Sequence, residues 1–124
     1  MIKKSKPAVM DTFRRIALAM PGAVESAHMN HPDFRAGGRI FATLGYPDQA
    51  WGMVKLTAEQ QQEFILDNPT MFAPLNGAWG RQGCTSVHLD KVDEETLGRA
   101  MTLAWQNAGR KKAAKTRKSR TTKE

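Results

Sequence analysis

Between Phe34 and Leu56 the chain places three strand-forming runs in close succession: Phe34-Arg35-Ala36, Arg39 to Leu44, and Trp51 to Leu56. Gly37-Gly38 separates the first two, and Gly45-Tyr46-Pro47-Asp48-Gln49-Ala50 separates the second from the third. A parallel neighbour needs a crossover of about a dozen residues or more, so links this short force antiparallel pairing. Glycine accepts positive φ, which suits Gly37-Gly38 to a two-residue hairpin. The rest of the chain must therefore fit around an antiparallel meander.

Val9, Phe13, Ile16 and Met20 recur at helical spacing and Pro21-Gly22 interrupts the pattern, which predicts a helix over residues 9–20. Glu25 to Asn30 reads as an edge strand, with His31-Pro32-Asp33 turning the chain into the meander. Thr57-Ala58-Glu59-Gln60 matches a capping box and predicts a helix to about Asp67, ended before Pro69. Residues 70–83, with Met71, Phe72, Pro74 and Trp79 among three glycines, read as irregular. Thr85, Val87 and Leu89 alternate with Ser86, His88 and Asp90 as a half-buried strand does. Asp93 caps a last helix whose apolar face is Leu97, Met101, Ala104, Trp105 and Ala108, with Gly109 as its stop. The order α-β-β-β-β-α-β-α lacks the regular alternation of a parallel βαβ sheet. It predicts an α+β fold with the antiparallel meander packed against helices.

The formal charge of +7 sits at one end of the chain. Residues 110–124 hold eight Lys and Arg against Glu124 alone, which leaves residues 1–109 with eleven basic and eleven acidic residues. Without Lys3, Lys4 and Lys6, residues 7–109 hold eight basic against eleven acidic. A body-wide basic footprint is thus absent, and the charge belongs to a tail. That tail has no aromatic or large aliphatic residue with which to offset its ordering entropy. The expected organisation is a basic flexible N-terminus over 1–8, one domain over 9–109 and a basic disordered tail over 110–124. The single cysteine fits a reducing compartment, and no apolar run approaches the roughly 18 residues that span a bilayer. The basic start is not followed by an apolar signal core, so a cytoplasmic location is expected.

No catalytic constellation emerges, and no enzymatic activity is expected. His28, His31 and His88 lack a supporting cysteine motif, and neither a metal nor another cofactor is expected. His88 lies four residues from Cys84, about 13 Å along an ideal strand at roughly 3.3 Å per residue, too far to activate a thiolate. Asp90, Asp93, Glu94 and Glu95 stand where the last helix begins, and its dipole alone accounts for them. If Ile40, Ala42 and Leu44 face the core, period-two alternation gathers Arg39, Phe41, Trp51, Lys55 and His88 on the opposite face. Interleaved aromatics and cations are what single-stranded nucleic acid uses for stacking and charge neutralisation, though a helix or a partner subunit would cover such a face equally well. The loop Gly77-Ala78-Trp79-Gly80-Arg81-Gln82-Gly83 lacks the lysine and hydroxyl end of a phosphate loop, and offers Trp79 for recognition or for packing, and Arg81.

The phrases Phe34 to Leu44, Trp51 to Leu56 and Gly77 to Gly83 together resemble the MmcQ/YjbR family. So do Pro21-Gly22-Ala23 after the first helix, Asn68-Pro69 before Phe72-Ala73-Pro74, and the terminal helix with Trp105. The resemblance runs from about Met10 to Ala108. It implies a compact α+β fold with an antiparallel sheet, similar to that of the CyaY-like group. The family is generally described as DNA-binding through a double-wing surface, with no established enzymatic activity. Here phosphate contacts would come from Arg35, Arg39, Lys55 and Arg81, aided by the two tails, with Trp79 as a further candidate contact. The tail would add Arg110, Lys111, Lys112, Lys115, Arg117, Lys118 and Arg120.

The expected function is non-enzymatic nucleic-acid binding, DNA foremost, with the tail as an electrostatic arm. The alternative is a module for a small ligand or a protein partner. Deleting residues 110–124 removes all of the net positive charge and almost no apolar surface, so folding stability should barely change. Nucleic-acid affinity should fall by orders of magnitude at low salt. For about four to six lost phosphate contacts, the slope of log affinity against log salt on duplex DNA should flatten by about that number times 0.9, measured by titrating both chains at several salt concentrations.

Overall fold

The computed structural model describes the backbone of residues 6–46 and 48–121, with side chains over 8–46 and 48–109. Four helices, α1 (Lys6–Leu18), α2 (Ala58–Asp67), α3 (Gly77–Arg81) and α4 (Glu94–Thr121), join six strands. The strands are β1 (Val24–His28), β2 (His31–Ala36), β3 (Arg39–Leu44), β4 (Trp51–Lys55), β5 (Phe72–Pro74) and β6 (Cys84–His88). They form one sheet in the order β1-β2-β3-β4-β6-β5, with every neighbouring pair antiparallel. The meander is as expected, and the strand after Gly83 joins it beside β4. Among the described residues no helix is long and apolar enough to cross a membrane.

The residues at the helical spacing of α1 meet the sheet. Phe13 is fully buried, its ring 6.0 Å from that of Phe34 and directly over Gly52 of β4. From α4 come Leu97, Ala100, Met101, Ala104 and Ala108, all in the same core as Phe34, Ala42, Leu44, Val54, Phe64 and Val87. Trp105 packs partly buried against this core, and its indole Nε1 donates to the Pro21 carbonyl at 2.8 Å, tying α4 to the end of α1. The Thr57 capping box forms at the head of α2: Thr57 Oγ1 accepts from the Gln60 amide, and Gln60 Oε1 accepts from the Thr57 amide.

Four local expectations change. The chain turns at Met29-Asn30 rather than at His31-Pro32-Asp33; both residues have positive φ, 51° and 67°, and His28 pairs with His31 across them. Asparagine tolerates that conformation, and proline near the start of a strand removes little pairing, so Pro32 sits opposite Ala27 in β2. Residues 70–83 contain β5 and α3, of three and five residues, too short to show a period. Phe41 does not point away from the core. The β2–β3 register slips at Phe34/Arg35, pairing Ala42 with Phe34 but Ile40 with Arg35, and the residue between them is fully buried in the main cluster. A β-bulge of this kind breaks strict alternation at one residue. Finally, α4 passes through Gly109, which keeps a negative φ, and its backbone stays helical to Thr121 through a run rich in the helix formers Ala, Lys and Arg. The side chains of the basic segment 110–124 lie outside the described residues, as do residues 1–5 of the expected N-terminal arm.

One buried charge fixes the outer strands. Asp33 of β2 is fully buried, and Arg35 forks onto it, Nε donating to Oδ1 at 2.8 Å and Nη2 to Oδ2 at 3.1 Å. His28 on β1 places Nδ1 2.7 Å from the same Oδ2. The hydrogen bonds from Arg35, joined by that of His28, hold the Asp33 carboxyl below its ordinary pKa, although burial pushes the other way. A carboxylate lowered in the native state stabilises the fold above its unfolded pKa, near about 3.9, and loses that contribution as pH falls through the native value.

Two outcomes follow for stability. A Cβ at Gly52 would lie 2.7 Å from Phe13 Cε2, so Gly52→Ala should cost about 1–3 kcal/mol by overpacking, read by denaturant unfolding. Combined with Phe13→Leu, it should cost less than the sum of the two changes. Asp33→Asn should cost on the order of 1–3 kcal/mol at neutral pH, and its deficit against the parent should shrink as the pH drops below about 4.

Candidate nucleic-acid interface

The Gly37-Gly38 hairpin, the end of β4 and the start of β6 lie at one end of the sheet, and α4 passes the same end with Ala104, Asn107 and Ala108. Towards this end the residues that α4 buries become smaller: Leu97 and Met101 give way to Ala104 and Ala108. A cleft of about 590 Å³ opens there between α4, the hairpin and α3. Arg35, Arg39, Lys55 and Trp79 all line it, with Gln82 and Asn107 as further polar groups and Ile40, Leu56 and Cys84 as apolar wall.

Electrostatics set the cleft apart from the rest of the domain. Among the described residues its lining holds three cations and no Asp or Glu, in a body where acidic residues outnumber basic ones. Arg35 spends its guanidinium fork on Asp33. Among the described residues Arg39 and Lys55 have no carboxylate within ion-pair distance, whereas Arg14 is paired with Asp11 and Glu25, and Arg15 with Glu94. The Lys55 ammonium lies 5.9 Å from the centroid of the Trp79 ring, within cation–π range. Trp79 keeps 60% of its surface exposed.

The mounting of Trp79 is rigid because two glycines let backbones touch. A Cβ on Gly80 would fall 1.7 Å from the Leu75 carbonyl oxygen, and one on Gly83, at φ 115°, would fall 2.0 Å from that of Leu56. Gln61 of α2, 7% exposed, donates from Nε2 to the carbonyls of both Gly80 and Cys84 at 3.0 Å. The Leu75 amide also reaches the Cys84 carbonyl at 3.0 Å, and the Leu56 amide reaches that of Gly83 at 3.2 Å. On the far wall Asn107 donates from Nδ2 to the Lys55 carbonyl and to Gln60 Oε1, joining α4 to the capping box. Its Oδ1 is buried and has no hydrogen-bond partner among the described residues.

The other candidates do not join this cluster. Arg81 is exposed at the end of α3 and is not part of the cleft wall. Trp51 and His88 pair across β4 and β6 as a T-shaped couple with ring centroids 4.6 Å apart, at the opposite end of β4 from Lys55. Between the two ends Thr43, Met53 and Ser86 form a cross-strand row that is 7–9% exposed. With Phe41 in the core as well, the continuous aromatic and cationic face drawn from alternation does not form. The tail residues Arg110, Lys111, Lys112, Lys115, Arg117, Lys118 and Arg120 follow Ala108 of the cleft wall closely in sequence, and their side chains lie outside the described residues. Among the described residues no three His, Cys, Asp or Glu side chains converge as a metal site would require. Gln61 and Asn107, which assemble the cleft, stood inside ordinary amphipathic helices and carried no signal of their own in the sequence.

No curated protein matches the chain in sequence. Among solved structures it is similar to the crystal structure of Deinococcus radiodurans protein DR2400, a DUF419 domain. The two share 20% identity at a TM-score of 0.64, over 77% of this chain and 75% of the other, a likeness that establishes the fold. The YjbR family model matches residues 18–107, which takes in the meander, the glycine clamp around Trp79 and the α4 wall of the cleft. The chain belongs to the YjbR family.

Proposed function

We propose that the protein binds nucleic acid, DNA foremost, and acts by binding rather than by catalysis. The observation that carries this reading is the cleft: among the described residues it holds no carboxylate, and Arg39 and Lys55 have no ion-pair partner beside an exposed tryptophan, in a domain that is otherwise net acidic. Cations left without internal partners are available to phosphate oxygens, and each one bound to a phosphate releases condensed counterions. The basic segment beyond Gly109 extends the same electrostatics from the helix that walls the cleft. Cleft volume supports a second reading, a small anionic ligand, because sites for such molecules commonly measure about 300–1,000 Å³.

Salt dependence separates the two. The double substitution Arg39→Ala and Lys55→Ala should weaken duplex binding and flatten the slope of log affinity against log salt by about 1.8, from two lost contacts at about 0.9 each. Fluorescence anisotropy of a labelled duplex at four or five salt concentrations measures both quantities. A parent protein that binds no nucleic acid, or whose affinity ignores salt, would refute the proposal and leave the small-ligand reading.

A further inference from the structure

We infer that the cleft is built for an unpaired nucleotide, and so that the protein prefers single-stranded over duplex nucleic acid, with one base stacked on Trp79 and the flanking phosphates on Arg39 and Lys55. This rests on the nucleic-acid reading above and specifies the form of the ligand.

The argument begins with the cost of exposing an indole. Trp79 presents 60% of its surface to solvent, although the chain buries Phe13, Phe34, Phe41, Phe64 and Phe72 almost completely. The backbone that carries the exposed ring is held in place. Gly80 and Gly83 allow backbone contacts with Leu75 and Leu56 that no Cβ would permit, and Gln61 ties the two ends of that segment together. A ring mounted on a backbone fixed before the ligand arrives leaves less conformational entropy to be lost on binding, which suits it to stacking. One face of the platform is already cationic through Lys55, whose ammonium lies over the ring 5.9 Å from its centroid, which leaves the other face for a base. A base stacked there would leave that ammonium to a flanking phosphate.

Strand form then follows from accessibility. A duplex encloses the faces of its bases and presents phosphates and groove edges, so it meets Arg39 and Lys55 but not Trp79. An unpaired base has a free face of any sequence, and stacking of this kind is sequence-tolerant. The cleft, at about 590 Å³, has the size of a small-molecule site and admits a single nucleotide rather than a double helix.

The test compares three probes on the full chain: an oligothymidylate about twelve nucleotides long, its duplex with oligoadenylate, and thymidine monophosphate. Trp79→Ala should weaken the single strand about 5- to 150-fold and shift duplex affinity less than twofold, while Trp79→Phe should retain most of the single-strand affinity. Thermal melting of each variant checks that the exposed ring was removed without loss of the fold. Equal losses on strand and duplex, or none on either, would overturn the inference while leaving nucleic-acid binding intact, provided Arg39→Ala with Lys55→Ala still weakens both. Mononucleotide binding as tight as that of the oligomer would overturn the strand preference. If the parent binds none of the three probes, the inference falls together with the nucleic-acid reading.

Discussion

The helical layer rests on the sheet through a shared core, in which Phe13 lies close over Gly52. A Cβ at Gly52 would meet the Phe13 ring at 2.7 Å, so the ring, or the helix that carries it, would have to shift. Because contact is that close at one end, the filling of the interlayer space tapers towards the other. Aromatic and long aliphatic side chains occupy the Phe13 end, and alanines occupy the stretch of α4 over the Gly37-Gly38 hairpin. The cleft is what the taper leaves. It is not a defect in the core, because Asn107, Gln60 and Gln61 bind the surrounding backbone into a fixed frame.

Charge is sorted by the same geometry. Most arginines of the body are used internally: Arg14 and Arg15 on surface carboxylates, Arg35 on Asp33, Arg99 over the Phe64 ring. Of these, the Arg35 pair differs in kind, since its carboxylate is fully buried and would be costly to leave alone. The arginine that serves Asp33 also lines the cleft, so a single residue connects the folding of the β1–β2 hairpin with the electrostatics of the candidate site.

Much of the frame was legible because it depends on local chemistry. The Gly37-Gly38 hairpin, the capping box at Thr57 and the inward row Thr85, Val87 and Leu89 are stated by neighbouring residues and were found where expected. Alternation already gathers Arg39 and Lys55 on one face, but their meeting with Arg35 and Trp79 is not visible in the sequence, because it depends on α4 crossing a distant hairpin. Alternation failed at Phe41 since a register slip is set by both strands and not by the residue that is displaced. Asp33 was hidden for the opposite reason: an His-Pro-Asp sequence has the composition of a turn, and only the partners on β1 and β2 make it a buried strand.

The sheet ends in two open edges, and each is unsuited to growth. At one side β5 contributes three residues, the last of them Pro74, which has no amide hydrogen to offer an incoming strand. At the other, all five residues of β1 are exposed, but Glu25 is held there by Arg14 from α1, which keeps a charged pair at the rim. Short, charged or proline-bearing borders discourage one molecule from templating the next, a hazard for any protein with a flat, hydrogen-bonding margin. Such borders let copies of the domain stand at high local concentration without pairing edge to edge.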